Sequence, residues 1–577
     1  MPVTACLVAL ATSVASGEEA GFQHVASPVL RLSGSILQPD LADRWTDQQW
    51  AAELEYMLAV GIQTLVLQWT ADSGRRTAVY PTGLEGYTQS TRRDVVGRLL
   101  DFSDRAGLEV YLGLQVDSEW WSRYSADGQW LLEQAVIASR LATDLYRRYS
   151  HHPSWRGWYL PFEVDNWNHR TREHWQNLAR FYQQVTGHLR RLSGDKPVLV
   201  SPFFNASGGQ STSEWRAMWE AILDTSPLDV IALQDGVGAG HSGVGDLPAW
   251  FKATREAIER ARPSTQLWAV TETFTPHFHT MPVRSVVEHM RAVEPYVSRY
   301  LSFSFNHYLS PQQVHPAYYS AYQLYVSSGD LDASPPSPPQ GVVAWARDAI
   351  TIEVAWEPAA DDIGVAGYEL YRDGQPVRLL PGAVQRYLDG QLDPGRTYSY
   401  SVRAFDGTGN RSESSATVRV VTPDMPSYMT NLARGKPYTA SLPTHSNYPD
   451  AGGELTDGRT ASPSFRDPAW QGRLTGDVYT FTIDLGRVEA IRALSSSWLQ
   501  DRSVFVLLPR RVTYSVSRDG QTFTPVGTVV SPAVSEQTQV KKYRVLALEG
   551  VSGRYVRVEV EPIGVSWTFV DEVDVWR

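Results

Sequence analysis

Roughly the first 300 residues repeat one pattern eight times: a short, almost wholly apolar run followed by a longer stretch with helical periodicity. The runs are Val29–Leu37, Ile62–Gln68, Leu108–Gln115, Gly157–Glu163, Pro197–Phe203, Asp229–Gln234, Gln266–Glu272 and Tyr300–Asn306. Between them, segments such as Gln48–Ala59, Arg92–Ala106, Leu131–Tyr149, Thr171–Leu192 and Pro248–Ala261 return apolar residues at helical spacing. Strands apolar at consecutive positions are buried on both faces, as in a parallel sheet covered by helices. Eight such units predict an α/β fold, the (β/α)8 TIM barrel. The alternative is a doubly wound open sheet. That fold calls for a Gly-rich phosphate turn after its first strand, and Ser33-Gly34-Ser35 lacks the G-x-G-x-x-G spacing.

A chain of 577 residues is too long for the barrel alone. Two Pro-rich breaks, Ser334–Pro339 and Thr422–Pro426, read as semi-rigid linkers. They divide it into a barrel over 28–333 and two smaller domains over 335–423 and 428–577. With 42% hydrophobic and 20% charged residues, each can bury a core. A net charge of -11 argues against nucleic acid as partner, because nucleic acid selects basic surfaces. Residues 1–17 are expected to be a signal peptide. Val3–Val14 is apolar and about 12 residues long, below the ~20 of a membrane span, and Ala15-Ser16-Gly17 and Glu18-Glu19 follow it. A mistaken start codon is the alternative. The expectation is a secreted or periplasmic monomer without a membrane span. The one Cys, Cys6, lies in that segment, so a processed chain would have no disulfide and no Cys-bound metal.

The region 335–423 alternates in short strands broken by Asp373-Gly374 and Asp406-Gly407, which predicts a β-sandwich. Pro338-Pro339, Trp356, Gly367–Arg372 and Leu392 followed by Tyr398–Ala404 resemble a fibronectin type III domain. The resemblance assigns Tyr398 to a structural strand corner. The last region is also β. Asn431–Pro437, Leu455–Gly458, Thr482–Gly486, Ser515–Gly520, Gly553–Arg557 and Asp571–Val573 resemble a discoidin or F5/8 type C domain, a β-sandwich jelly roll shared with family-32 carbohydrate-binding modules. That resemblance implies a structural Ca2+ held by Asp457, Ser462 and Glu572, and sugar contact from Trp470, Trp498 and Trp567. Otherwise Asp457-Gly458 is an ordinary turn and Glu572 a surface carboxylate.

In a barrel, function sits at the C-terminal strand ends. Those ends carry Gln68-Trp69, Gln115, Asp117, Trp120, Glu163, Trp167, Asn205, Gln234-Asp235, Glu272 and Asn306-His307-Tyr308. A rim of amides, carboxylates and indoles with few Lys or Arg suits a sugar better than a phosphate. Glycoside cleavage normally uses two carboxyl groups, one protonated and one ionised. Glu163 and Glu272 each end an otherwise apolar strand, the fourth and seventh.

That placement is similar to the large clan of retaining barrel glycosidases, which implies Glu163 as acid/base and Glu272 as nucleophile. The run Trp158–Glu163 and Leu233–Gly238 further resemble a bacterial family carried as a domain of unknown function and read as glycoside hydrolases. Clan enzymes commonly place Asn before the fourth-strand Glu, whereas this chain has Phe162. Asp235 and Asp117 are therefore competing second carboxylates, and a wider pair would imply inversion. If Glu163 is the acid, burial beside Trp158 or Trp167 should raise its pKa. His241, His277, His279 and His307 lack the H-E-x-x-H pattern and read as loop histidines, with His307 and Tyr308 assigned to substrate.

Catalysis needs no cofactor on this reading. The first expectation is a secreted glycosidase cleaving a polysaccharide or oligosaccharide. The second is a non-catalytic polysaccharide-binding protein or adhesin. A polysaccharide lyase would want a basic or metal-assisted rim.

Overall fold

The computed structural model describes residues 29–424, 430–450, 452–531 and 538–577. The expected signal segment lies outside the described residues. Among the described residues no helix is long and apolar enough to cross a membrane.

Eight parallel strands close into a barrel. They are β1 (Gly34–Leu37), β2 (Thr64–Leu67), β3 (Glu109–Gly113), β4 (Trp155–Leu160), β5 (Val198–Val200), β6 (Val230–Gln234), β7 (Gln266–Glu272) and β8 (Tyr300–Phe303). Each is followed by one long helix: α1 (Asp47–Ala59), α2 (Val95–Ala106), α3 (Gly128–Tyr149), α4 (Arg172–Ser193), α5 (Thr212–Leu223), α6 (Leu247–Ala261), α7 (Val283–Val293) and α8 (Pro316–Ser328). Local chemistry starts them. Thr46 with Gln49 and Ser211 with Glu214 form capping boxes on α1 and α5, which satisfy N–H groups that a helix start leaves without partners. Two predicted strands were too long: only Gly34–Leu37 of the first run is strand, and Phe305–Tyr308 forms a helical turn.

Alternation along each strand separates two cores. Ile36, Val66, Tyr111, Tyr159, Leu199, Val230, Ala232, Trp268, Val270 and Leu301 fill the barrel axis. The opposite faces meet the helices in a larger cluster. Tyr111 has room because Gly157 stands beside it; a Cβ there would lie 2.4 Å from its ring. Ten of the barrel's 14 Trp are buried, so most of the Trp content is packing, and truncating one such as Trp158 should cost about 3–5 kcal/mol.

The second domain pairs a three-stranded and a four-stranded antiparallel sheet over Trp356, Tyr368 and Tyr400. The Tyr398 hydroxyl accepts the Asp393 N–H at 2.7 Å, closing a strand corner. The third domain is built on two long strands, β9 (Tyr479–Gln500) and β10 (Gln539–Glu561), in one antiparallel sheet.

The second domain also docks on the barrel. Pro282, which precedes α7, gives no side-chain cap. The first two N–H groups of α7, from Val283 and Arg284, donate instead to the carbonyls of Gly407 and Thr408 at 3.0 and 3.3 Å, and the Arg284 guanidinium donates to Asn410 Oδ1 at 3.0 Å. A barrel helix is thus capped from another domain.

Candidate active site

Residues that alternate inward along β6 and β7 bring Gln234 and Glu272 to the mouth, continuing the rows Val230–Ala232 and Trp268–Val270. Glu163, three residues past the end of β4, meets them: Gln234 Nε2 donates to Glu163 Oε1 at 3.2 Å and to the Ser201 carbonyl at 3.0 Å. Glu163 is held from below, because the indole N–H of Trp120 donates to its carbonyl at 3.1 Å. Trp120 is 2% exposed and stacks on Phe162 at 5.0 Å and 3°. Phe162 therefore faces the helix layer and offers nothing to a ligand, and Trp120 positions Glu163 rather than lining the mouth. Trp120 is thus an indole that bonds the Glu163 backbone.

Burial pushes the Glu163 carboxyl up to about 7, aided by the charge of Asp165 and opposed by the Gln234 hydrogen bond. Glu272 rises to about 8. Burial is the main cause, then the charge of Asp235, with Glu163 adding its own; the N–H groups of Ala239 and Gly238 pull the other way. Ala239 N–H donates to Glu272 Oε2 at 2.7 Å. Glu272 thus senses the charge of Glu163 across one mouth.

Asp235 stands one residue beyond Gln234 and so points to the other face. His289 Nδ1 of α7 lies 3.0 Å from its Oδ2, and the N–H groups of Val237 and Glu272 donate to its two oxygens at 3.2 and 3.3 Å. At 2% exposure it braces Glu272 from behind the strand and does not orient substrate directly. His289 went unnoticed in the sequence, although an apolar helix face carrying one His is a readable sign of a buried partner.

Other expected contacts are also turned inward. β3 leaves the barrel after Gly113, and Gln115–Val116 joins a small rim sheet with Ala71–Asp72. There Gln115 Nε2 donates to the Gln134 carbonyl at 2.9 Å, and Asp117 accepts from Ser73 Oγ, Gln134 Nε2 and Glu119 N–H at 2.8, 3.1 and 3.0 Å. Neither is free for a ligand or a second catalytic role. Asn306 is fully buried, accepting from Ser35 Oγ at 2.8 Å and donating to Glu53 Oε1 at 2.7 Å, so it is not a substrate contact either. The Asn205 side-chain oxygen accepts from Ser207 N–H at 3.0 Å. Gln68 is half-buried with its Oε1 unpartnered, and Trp69 packs against the outer core. Trp167 is 45% exposed, with the Arg170 guanidinium 5.1 Å from its ring centre. His307 shares a 2.9 Å hydrogen bond with Ser304, and Tyr308 stacks on Phe274 at 5.2 Å.

A buried Ser125–His169–Asp165 arrangement has the residue types of a hydrolytic triad, with Ser125 Oγ 2.5 Å from His169 Nδ1. All three are at most 1% exposed, so no substrate reaches them. Among the described residues no group of three or more His, Cys, Asp or Glu is arranged to hold a metal.

In the third domain Trp470 and Trp498 are core, 1% and 0% exposed, which removes them as sugar contacts. Trp567 is half-buried and meets His445 and Tyr448 edge-on at 4.9 and 5.2 Å. The neighbouring Phe505, 61% exposed, accepts the Trp567 N–H through its carbonyl at 3.3 Å. Asp457 and Glu572 converge: Gly458 N–H donates to Glu572 Oε2 at 3.0 Å, and burial with the charges of Asp574, Asp457 and Asp571 pushes Glu572 to about 8. Its other oxygen is buried without a partner, a setting that fits a bound cation. Ser462 belongs instead to the Asp467 turn, donating its N–H to Asp467 Oδ2 at 2.9 Å.

Comparisons with known proteins follow the same division. Over 212 residues the chain is 28% identical to the uncharacterised protein YbcH of Escherichia coli (strain K12), which covers 36% of this chain and 66% of that one. A 92-residue stretch is 35% identical to an alpha-amylase of Niallia circulans, covering 16% of this chain and 7% of that enzyme. The chain thus spans less than two thirds of each relative. A crystal structure from Bacteroides thetaiotaomicron VPI-5482, provisionally an alpha-L-fucosidase, aligns with 54% of this chain and 99% of its own at 20% identity and a TM-score of 0.44. Family models match residues 337–421 as a fibronectin type III domain and residues 437–573 as an F5/8 type C domain. With residues 32–315 matching the domain of unknown function DUF4434, the barrel is a DUF4434 domain carried in one chain with those two modules.

Proposed function

We propose that the protein is a glycoside hydrolase that cleaves a polysaccharide outside the cytoplasm, with its F5/8 type C domain keeping it on the polymer. The observation that carries this reading is the pair Glu163 and Glu272: two carboxyls at one barrel mouth, both raised, with the charge of Glu163 reaching Glu272. Such a pair gives up its protons in two steps, and the first loss makes the second harder. Near neutral pH it can therefore supply one protonated and one ionised carboxyl, as glycoside cleavage requires.

In the direction we favour, Glu163 protonates the departing oxygen and Glu272 attacks the anomeric carbon. Glu163 then deprotonates the water that releases the sugar. The Ala239 N–H on Glu272 Oε2 favours its ionised form and leaves the other oxygen for attack. Gln234 orients Glu163, and Asp235 with His289 fixes the strand behind Glu272. The larger rise at Glu272 favours the reverse assignment. Azide separates the two, since a small anion restores turnover with inverted product only where the nucleophile has been truncated.

Binding and catalysis on one chain raise the effective concentration of enzyme on a polymer. The cluster of His445, Tyr448, Phe505 and Trp567 is the sugar face we assign to the third domain. We assign Ca2+ to the unpartnered oxygen of Glu572. Excess Ca2+ should raise the unfolding temperature of this domain, with about 2.7 kcal/mol at 100-fold excess over Kd, and Glu572→Gln should abolish the gain in calorimetry.

The test is reducing-sugar release from a polysaccharide panel by the native chain and by Glu163→Gln and Glu272→Gln. Release by the native chain and loss in both variants supports the reading. Equal release by all three ends the assignment of these residues. Retention on polysaccharide without release by any of them favours the non-catalytic binder.

A further inference from the structure

The mouth has an aromatic extension that neither the carboxyl pair nor the third domain accounts for. Phe278 is 71% exposed and has a φ of 58°, unusual for a residue with a side chain. It is not on a loose loop. Phe278 N–H donates to the Thr275 carbonyl at 2.7 Å, Thr275 N–H to the His279 carbonyl at 2.8 Å and Met281 N–H to the Thr273 carbonyl at 3.0 Å, with a bridge between Phe274 and Thr280. This makes a tight hairpin between β7 and α7 with Phe278 at its tip. The hairpin's far end runs into the α7 start that the fibronectin domain caps through Gly407 and Thr408. The charge of Arg378, from that domain, also reaches His279.

The exposed ring continues inward. Phe278 stacks on Phe274 at 5.6 Å and 5°, and Phe274 on Tyr308 at 5.2 Å and 27°. Phe274 stands two residues beyond Glu272, so the row of rings begins at the mouth, and burial with the charge of Glu272 raises the Tyr308 phenol. Three rings thus lead from Glu272 to solvent. The outermost is the most exposed of the three, and a rigidly presented aromatic face of this kind covers the apolar side of a pyranose.

Resting on the glycosidase reading, we propose that Phe278 is the stacking platform of an outer sugar subsite on the Glu272 side of the mouth. It takes a unit of the polymer beyond those at the scission point. Phe278→Ala should therefore raise KM for long oligosaccharides about three- to tenfold with little change in kcat, by a margin that grows with chain length. Phe278→Trp should restore it.

A second readout does not need turnover. In the full chain labelled with 4-fluorophenylalanine, the resonance lost in Phe278→Leu should shift on titration with oligosaccharides from the panel. A length-dependent KM rise with a shifting resonance supports the subsite. A resonance unmoved by every oligosaccharide overturns it, as does a KM rise independent of length. A shifting resonance in a chain that cleaves nothing keeps the subsite and ends the glycosidase reading.

Discussion

Two arcs of one barrel mouth carry the same kinds of side chain and use them differently. On the arc of β1, β3 and β8, the amides and carboxylates of Gln115, Asp117 and Asn306 bond to Gln134, Ser73, Ser35 and Glu53 until little is left over. On the arc of β4, β6 and β7, Glu163 accepts from Gln234 and Glu272 from the Ala239 N–H, yet burial outweighs these bonds and raises both carboxyls. A buried polar group whose hydrogen bonds outweigh its burial stabilises a fold, whereas a carboxyl raised by burial near a second carboxyl is poised for proton transfer. Polarity at a strand end is therefore not the sign of a site; a raised carboxyl that senses a second one at the same mouth is.

The sharpest way to break this contrast is to remove charge from each arc in turn. Glu163→Gln should lower turnover by about 10²–10⁴-fold, the range for a general acid or base, Glu272→Gln should lower it at least as much, and both should unfold no earlier than the native chain above pH 8. Reducing-sugar kinetics with scanning calorimetry checks both.

Asp235→Asn lies between the arcs in effect. It removes a charge that helps raise Glu272 and weakens the His289 contact. Turnover should fall about tenfold, with loss of about 1.5–3 kcal/mol of stability. The limb of the pH–rate profile set by Glu272 should move to lower pH.

On the satisfied arc, Asp117→Asn should leave turnover per folded molecule within about twofold while costing about 1–3 kcal/mol in urea unfolding, because Ser73 and Glu119 lose a charged acceptor. A large loss of turnover there would put Asp117 back among the catalytic carboxylates.

Much of this was legible in the sequence. All eight strand positions followed from apolar runs, because strands buried on both faces admit few polar residues. Glu163 and Glu272 stood out for the same reason. What pattern alone did not reveal was direction. Gln234 and Asp235 are neighbours, yet alternation sends one to the mouth and the other to His289. That alternation could have been counted from Val230. It fails for Gln115, because β3 leaves the barrel ladder after Gly113 and a rim sheet sets the new direction. The fibronectin domain's cap on α7 comes from backbone carbonyls, which no side-chain motif reports.

The most direct test is a ¹³C NMR titration of the native chain labelled at glutamate carboxyls, with Glu163→Gln and Glu272→Gln assigning the signals. Folding raises both pKa values, so the stability this pair contributes is fully present below the ordinary glutamate value of 4.5 and is lost as pH rises through about 7 and 8. The account predicts one resonance missing from each variant, both with midpoints above pH 6, and the surviving partner in each variant shifted downward. Two midpoints near 4.5, each indifferent to loss of the other carboxyl, would contradict it.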